Sequence, residues 1–260
     1  MRRIAGATVT LLLGTVAVAA AQPPPRDSAT TADPRSWVGE RLHYDAKFGV
    51  IPLGSAELLV AGVDTIQNTE ALHIRFIIDG GNFLYQLHDQ WDSWVALQDF
   101  TSRRFIQDLD EGGHRRHNAY DIYPDSGVYV RHFESGDSTF PTSPQPLDDA
   151  AFFYFVRTVP LEPGQRYEFD RYFKPDRNPV VLEVLGRDTL DVPAGRFDCL
   201  VVRPIIKGGG IFKEGADGKL WISNDERRLV VQIKSRFVFG AITFRLSKIT
   251  TAADEADPGE

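Results

Sequence analysis

A period of two runs through most of this chain. It is sharpest between residues 180 and 249, where five segments rich in Val, Ile, Leu and Phe follow one another: 180–185, 197–206, 219–223, 229–239 and 241–249. In the fourth, Leu229, Val231, Ile233, Phe237 and Phe239 take one face and Gln232, Lys234 and Arg236 the other, the alternation a half-buried strand requires. The fifth sets Ile242, Phe244 and Leu246 against Thr243, Arg245 and Ser247. Between the first two lies Val192-Pro193-Ala194-Gly195. Pro presets φ at the second turn position and Gly takes positive φ at the fourth without steric cost, so a hairpin is predicted there.

The first half repeats the pattern. Leu42, Tyr44, Ala46 and Phe48 alternate with Arg41, His43, Asp45 and Lys47, and residues 49–54 reverse the chain into a strand over 55–60. Residues 71–78 carry Leu72, Ile74, Phe76 and Ile78 inward; Asp79-Gly80-Gly81-Asn82 breaks the run, 83–87 reads as a short helical turn, and 89–96 as the next strand. Segments 103–109 and 116–123 join across Asp110-Glu111-Gly112-Gly113, and Pro124-Asp125-Ser126-Gly127 turns the second into 128–133. A Pro-containing crossing over 140–146 leads to one helix, 148–158, with Asp148 as N-cap, Leu147 stapled onto Phe152, and Pro160 beyond its end. Phe152 to Val156 make this helix apolar on most sides, so it is expected to plug or cover a sheet face. Residues 167–173 return to strand, and Lys174-Pro175-Asp176-Arg177-Asn178-Pro179 breaks it.

About a dozen short strands with a single short helix near the midpoint predict a mainly β protein. The expected form is a long antiparallel meander curled into a barrel or half-barrel, with the helix inside the curl or across its mouth. A two-sheet sandwich is the alternative.

The N-terminus changes the expected address. Met1-Arg2-Arg3, an apolar run over 4–21 and Ala19-Ala20-Ala21 before Gln22 read as a signal peptide, 1–21, cleaved after Ala21. No Cys follows that site, so lipid attachment there is excluded, and a periplasmic or extracellular protein without a stable membrane anchor is expected. A disordered linker is predicted over 22–36, a single barrel-like domain over 37–250 and an acidic disordered tail over 251–260. The whole chain carries a formal charge of −7, and losing Arg2 and Arg3 with the signal takes it to −9. Nucleic acid is therefore not an expected partner; the densest basic runs, Arg103-Arg104 and Arg115-Arg116, are pairs flanked by acids. Cys199 is the sole cysteine, which rules out an intramolecular disulfide, and its alternation with Phe197 and Val201 predicts a buried, inert thiol.

Four motifs follow one another in a specific order. They are Gly39-Glu40-Arg41-Leu42 with the 49–54 reversal, Pro146-Leu147-Asp148-Asp149-Ala150 opening the helix, Val192-Pro193-Ala194-Gly195-Arg196-Phe197-Asp198-Cys199, and Leu220-Trp221-Ile222-Ser223-Asn224-Asp225 leading through Leu229 to Leu246. Their order over the mature chain resembles the bacterial domain-of-unknown-function 3108 family, DUF3108. The resemblance implies a secreted, β-rich envelope protein with a barrel-like fold. It implies no established activity and carries no catalytic residue across.

The residues themselves add little chemistry. His114 and His117, three apart on a strand, point to opposite faces with Arg115-Arg116 between them, which disfavours a metal. His88, Asp89 and Asp92 read as an amphipathic strand edge. Ser55 lies outside any Gly-x-Ser-x-Gly elbow, and Gly208-Gly209-Gly210 precedes Ile-Phe-Lys-Glu, which reads as a loop and not a phosphate cradle. Asp148-Asp149, Asp108-Asp110-Glu111 and Asp225-Glu226 sit where acids cap helices and turns. No catalytic residue, cofactor or metal ligand is assigned. Seventeen Phe, eight Tyr and four Trp exceed the needs of a bare sheet. The expected function is thus a non-enzymatic binding or structural protein holding an apolar or amphipathic envelope component, with Phe152, Tyr154, Phe155, Trp221 and Phe237 as cavity-lining candidates. The alternative is a hydrolase of cell-wall or polysaccharide material, which needs two rim carboxylates about 5–9 Å apart.

Overall fold

The computed structural model describes residues 33–81, 86–207, 217–237 and 240–256; the expected signal peptide, most of the linker and the Gly208–Gly210 run lie outside them. The period-two segments form β1 (Arg41–Phe48), β2 (Ile51–Ile66), β3 (Thr69–Gly81), β4 (Gln86–Ala96), β5 (Ser102–Glu111), β6 (His114–Tyr123), β7 (Val128–His132) and β8 (Ser138–Pro141). After helix α1 (Ala151–Thr158) come β9 (Arg166–Phe169), β10 (Val180–Val192), β11 (Gly195–Ile205), β12 (Lys219–Ser223), β13 (Val230–Phe237), β14 (Gly240–Thr250) and the short α2 (Ala252–Ala256). All fourteen strands belong to one antiparallel sheet. Its order is β8 to β1 in descending sequence, then β14 down to β9.

Two meanders are therefore spliced by the first and last strands, with Leu42 opposite Ile249 and Ala46 opposite Phe244. The sheet is not closed: β8 and β9 are its edges. The chain between them fills the seam. Leu147 bridges Tyr172 in parallel, the Phe173 N–H donates to the Leu147 carbonyl at 2.9 Å, the Ser143 hydroxyl to the Tyr172 carbonyl at 2.7 Å, and the Asn178 amide to Ser143 Oγ at 2.8 Å. Backbone groups that an open edge would leave to solvent are partly satisfied this way.

Helix α1 is buried from Ala151 to Arg157, inside the curl. Its rings meet both meanders: Phe153 lies 5.1 Å from Phe76 on β3, and Phe155 5.1 Å from Phe169 on β9. Asp148 caps it as predicted, although regular helix starts only at Ala151. Its Oδ1 accepts from the Ala150 and Ala151 N–H groups at 3.0 and 2.9 Å, and Oδ2 accepts from the Ser93 hydroxyl on β4 at 2.6 Å. Burial pushes this carboxyl up to about 6, against the opposing pull of those donors. At the other end Arg157 donates to Glu40 at 3.0 Å and to the Arg227 carbonyl at 2.9 Å. A buried guanidinium needs such partners, since removing one leaves an uncompensated charge.

Several strands outrun their sequence signals. β10 continues past Leu185 through a register shift between Val184 and Gly186, so alternation counted straight through breaks there. β3 continues through Gly80-Gly81, where Gly54 pairs with Gly80. A Cβ on Gly54 would stand 2.0 Å from the Asp79 carbonyl oxygen, so the two backbones meet as closely as glycine alone permits. β8 lies within the stretch read as a crossing and just before it. Leu87, at the end of the predicted 83–87 helical turn, belongs to β4; residues 83–85 lie outside the described residues. Pro34–Trp37 form a 3-10 turn at the linker end, and α2 occupies part of the stretch assigned to the tail. Cys199 is 1 % exposed, and its neighbours Leu200 and Val202 are equally buried, so β11 is covered on both faces.

Candidate functional site

A cavity of about 380 Å³ lies between the inner face of β3 to β6, the start of α1 and the seam. Strand geometry builds its wall. Phe105 pairs with Tyr120, Gln107 with Asn118 and Leu109 with Arg116, and residues two apart on a strand share a face. The wall thus grades from an aromatic pair through two amides to a cation. Phe76 and Trp91 stack at 5.5 Å beside it, and Phe173 from the seam closes edge-on to Tyr120 at 5.2 Å. Phe152 and Phe153 of α1 complete the apolar lining, with Ile206 just beyond β11.

The polar groups come largely from the seam. Arg177 donates to the Tyr172 hydroxyl at 3.0 Å, and that hydroxyl donates to Asp149 Oδ1 at 3.0 Å. Burial raises the Asp149 carboxyl, and burial followed by the Asp149 charge raises the Tyr172 phenol well above its ordinary value. Lys174 points its ammonium at ring faces, 4.6 Å from the centroid of Tyr120 and 4.9 Å from that of Phe173, and donates to the Tyr120 hydroxyl at 3.3 Å. Among the described residues no carboxylate stands within the 4.0 Å of an ion pair with it. Burial, then the Arg177 charge, brings the ammonium down to about 8. Arg116 is paired with Glu111.

Of the residues proposed from sequence, Phe152 lines this cavity. Tyr154 lies elsewhere on α1, its hydroxyl donating to Glu40 at 3.2 Å and its ring 5.2 Å from Trp37. Phe155 packs between Phe169 and the Arg171 guanidinium, 4.8 Å from its ring. Trp221 donates its indole N–H to Asp188 at 2.9 Å. Phe237 is in β13, with its side chain outside what is described. A helix apolar on every side contacts something different on each, so only part of its surface borders the cavity. Period-two counting missed Phe105, Tyr120, Lys174 and Arg177. The available signal was Gln107, Arg116 and Asn118, polar residues at inward positions of two strands.

The remaining clusters are tied up in hydrogen bonds and ion pairs within the sheet and its turns. His117 pairs with Asp108 at 2.5 Å, and Asp92 accepts from His73 at 2.5 Å and Arg75 at 2.7 Å. Asp89 accepts from the Asp110 N–H at 3.1 Å, and His88 pairs with Asp79. Asp225 holds the β12–β13 turn through the Ser223 hydroxyl at 2.6 Å and the Arg228 N–H at 3.2 Å. Among the described residues no group of three or more His, Cys, Asp or Glu is placed to hold a metal.

One solved structure of low identity shares this fold. A β-barrel-like protein of domain of unknown function DUF1849 from Brucella abortus is 9% identical, with 82% of this chain and 98% of that one covered and a TM-score of 0.53. A proposed lipoprotein from Parabacteroides distasonis (10% identity, 83% and 96% covered) and a proposed exported protein with a YmcC-like fold from Bacteroides fragilis (13%, 82% and 96%) give TM-scores of 0.29 and 0.30. No protein with a curated description matches the chain. The model of the protein family of unknown function DUF3108 matches residues 43–247, from within β1 to within β14, and the chain belongs to that family.

Proposed function

We propose that this is a non-enzymatic binding protein of the cell envelope, exported by its N-terminal signal, which holds an apolar or amphipathic component in the cavity beside α1. The observation that carries this is the lining itself: a partly open, largely aromatic cavity of about 380 Å³ with several convergent polar groups. That volume falls in the range of about 300–1,000 Å³ usual for small-molecule sites. The hydrolase alternative is less well supported. Two-carboxylate chemistry needs a second acid roughly 5–9.5 Å from the first, and among the described residues Asp149 is the one carboxylate of the lining. Both oxygens of neighbouring Asp148 are committed to the helix cap and Ser93.

The test is titration with the neutral fluorescent probe N-phenyl-1-naphthylamine. Saturable one-site binding that is weakened by Leu109→Trp, which fills the cavity from its strand wall, is expected. Absence of saturable binding, or equal binding by the variant, overturns the reading. Fractionation of the native host checks the address; a cytoplasmic protein retaining Met1 is incompatible with it.

A further inference from the structure

Resting on the cavity-binding reading, we infer that the ligand is an anionic amphiphile whose negatively charged head sits at Lys174 and whose apolar body lies along the Phe105, Tyr120 and Phe173 wall. The charges around the cavity do not balance. Among the described residues Arg116, Lys174 and Arg177 are its cations and Asp149 its one anion. Arg116 has Glu111 at the rim, and Arg177 reaches Asp149 through the Tyr172 hydroxyl. Lys174 has no carboxylate at ion-pair distance among the described residues, and the Asp149 charge acts on it only from farther away. From β7, Arg131 adds further positive potential, its guanidinium 5.8 Å from the Tyr120 ring and donating to Asn118 at 2.8 Å. Asp176, the other acid whose charge acts on Lys174, is exposed to solvent.

This excess cannot come from composition, because the chain as a whole is acidic at −7. A charge taken out of water without a counter-ion is unfavourable, and ring faces compensate for only part of the lost hydration. An anionic head bound at Lys174 would form a charge-assisted hydrogen bond in a low-dielectric pocket. A neutral apolar guest would leave the ammonium unpaired, and a cationic one would add a like charge. Carboxylate and phosphate heads share the required chemistry.

The experiment displaces bound N-phenyl-1-naphthylamine at pH 7 with dodecanoate, dodecyl phosphate, dodecanol and dodecylamine, each below its micelle concentration. At least one of the two anions is expected to compete about ten-fold more tightly than dodecanol (about 1.4 kcal/mol), with dodecylamine weakest; the tighter anion identifies the head. Within Lys174→Met the ratio of anion to alcohol should fall to about two-fold or less, and Lys174→Arg should restore it. Dodecanol competing as well as both anions, or an undiminished ratio in Lys174→Met, overturns the inference while leaving cavity binding intact. A probe that does not bind saturably removes the underlying reading instead.

Discussion

Replacing Phe155 with Ala removes a ring that is 5 % exposed and wedged between the edge strand β9 and the Arg171 guanidinium. Phe155 does not line the cavity, so the void left behind does not simply enlarge it. Large-to-small changes of this kind cost about 3–5 kcal/mol. Of that, the edge-on contact with Phe169 accounts for about 0.5–1.5 kcal/mol. Arg171 sharpens the effect. Burial lowers its guanidinium to about 10, and its hydrogen bonds run to the carbonyls of Phe100 at 2.6 Å, Gln145 at 3.0 Å and Asp99 at 3.4 Å, so the Phe155 ring face is part of what stabilises its charge. Denaturant unfolding should show a lower midpoint with an unchanged slope. For a domain of this size the melting temperature should fall by roughly 2–4 °C per kcal/mol. The same change at Phe152 enlarges the cavity, and its signature should be altered binding of N-phenyl-1-naphthylamine. A Phe155→Ala protein within about 1 kcal/mol of the parent, or one that disturbs probe binding more than Phe152→Ala does, would refute this division of α1 into a packed side and a cavity side.

Other perturbations test the frame around the helix. The Asp148 carboxyl, at about 6 when folded and about 3.9 in an unfolded chain, binds more protons folded than unfolded between those values, so its contribution to stability is present below about pH 4 and lost as pH rises through 6. Asp148→Asn keeps the acceptor for Ala150 and Ala151 and should gain about 2–3 kcal/mol on the parent between pH 4 and 7; a difference independent of pH counts against this. Gly54→Ala drives a Cβ into the Asp79 carbonyl at a φ of 149° and should lower stability by several kcal/mol, far more than the same change at Gly62, where a Cβ meets nothing within 4 Å; equal effects in an unfolding titration would sink the close-approach argument. Burial, then the charges of Asp188, Asp198 and Asp225, push the Cys199 thiol up to about 12. Its labelling by a thiol-reactive disulfide reagent should therefore track unfolding, and rapid labelling of native protein would mean that β11 is not covered on both faces.

What the sequence by itself determined is local. Alternation at Leu42 to Phe48 and at Ile242 to Leu246 is a backbone-scale signal, because successive side chains on a strand must point opposite ways, and β1 and β14 follow it; in β13 a register shift against β12 breaks the alternation expected from Leu229 to Ile233, and every residue of that run is buried. Asp148 before a run of four aromatics announced a capped helix too apolar for the surface, and α1 is buried in the curl. The order of the turn and strand motifs carried the family. Only the tertiary structure decided the pairing of β1 with β14, the open seam between β8 and β9, and the place of the cavity. Those depend on contacts between residues far apart in the chain, such as Leu42 with Ile249 and Phe173 with Tyr120, on which local periodicity carries no information. Lys174 shows the difference most clearly. In the string Lys-Pro-Asp-Arg-Asn-Pro it reads as a break in a strand, yet the seam folds it against Tyr120, 54 residues earlier, with its ammonium over two ring faces.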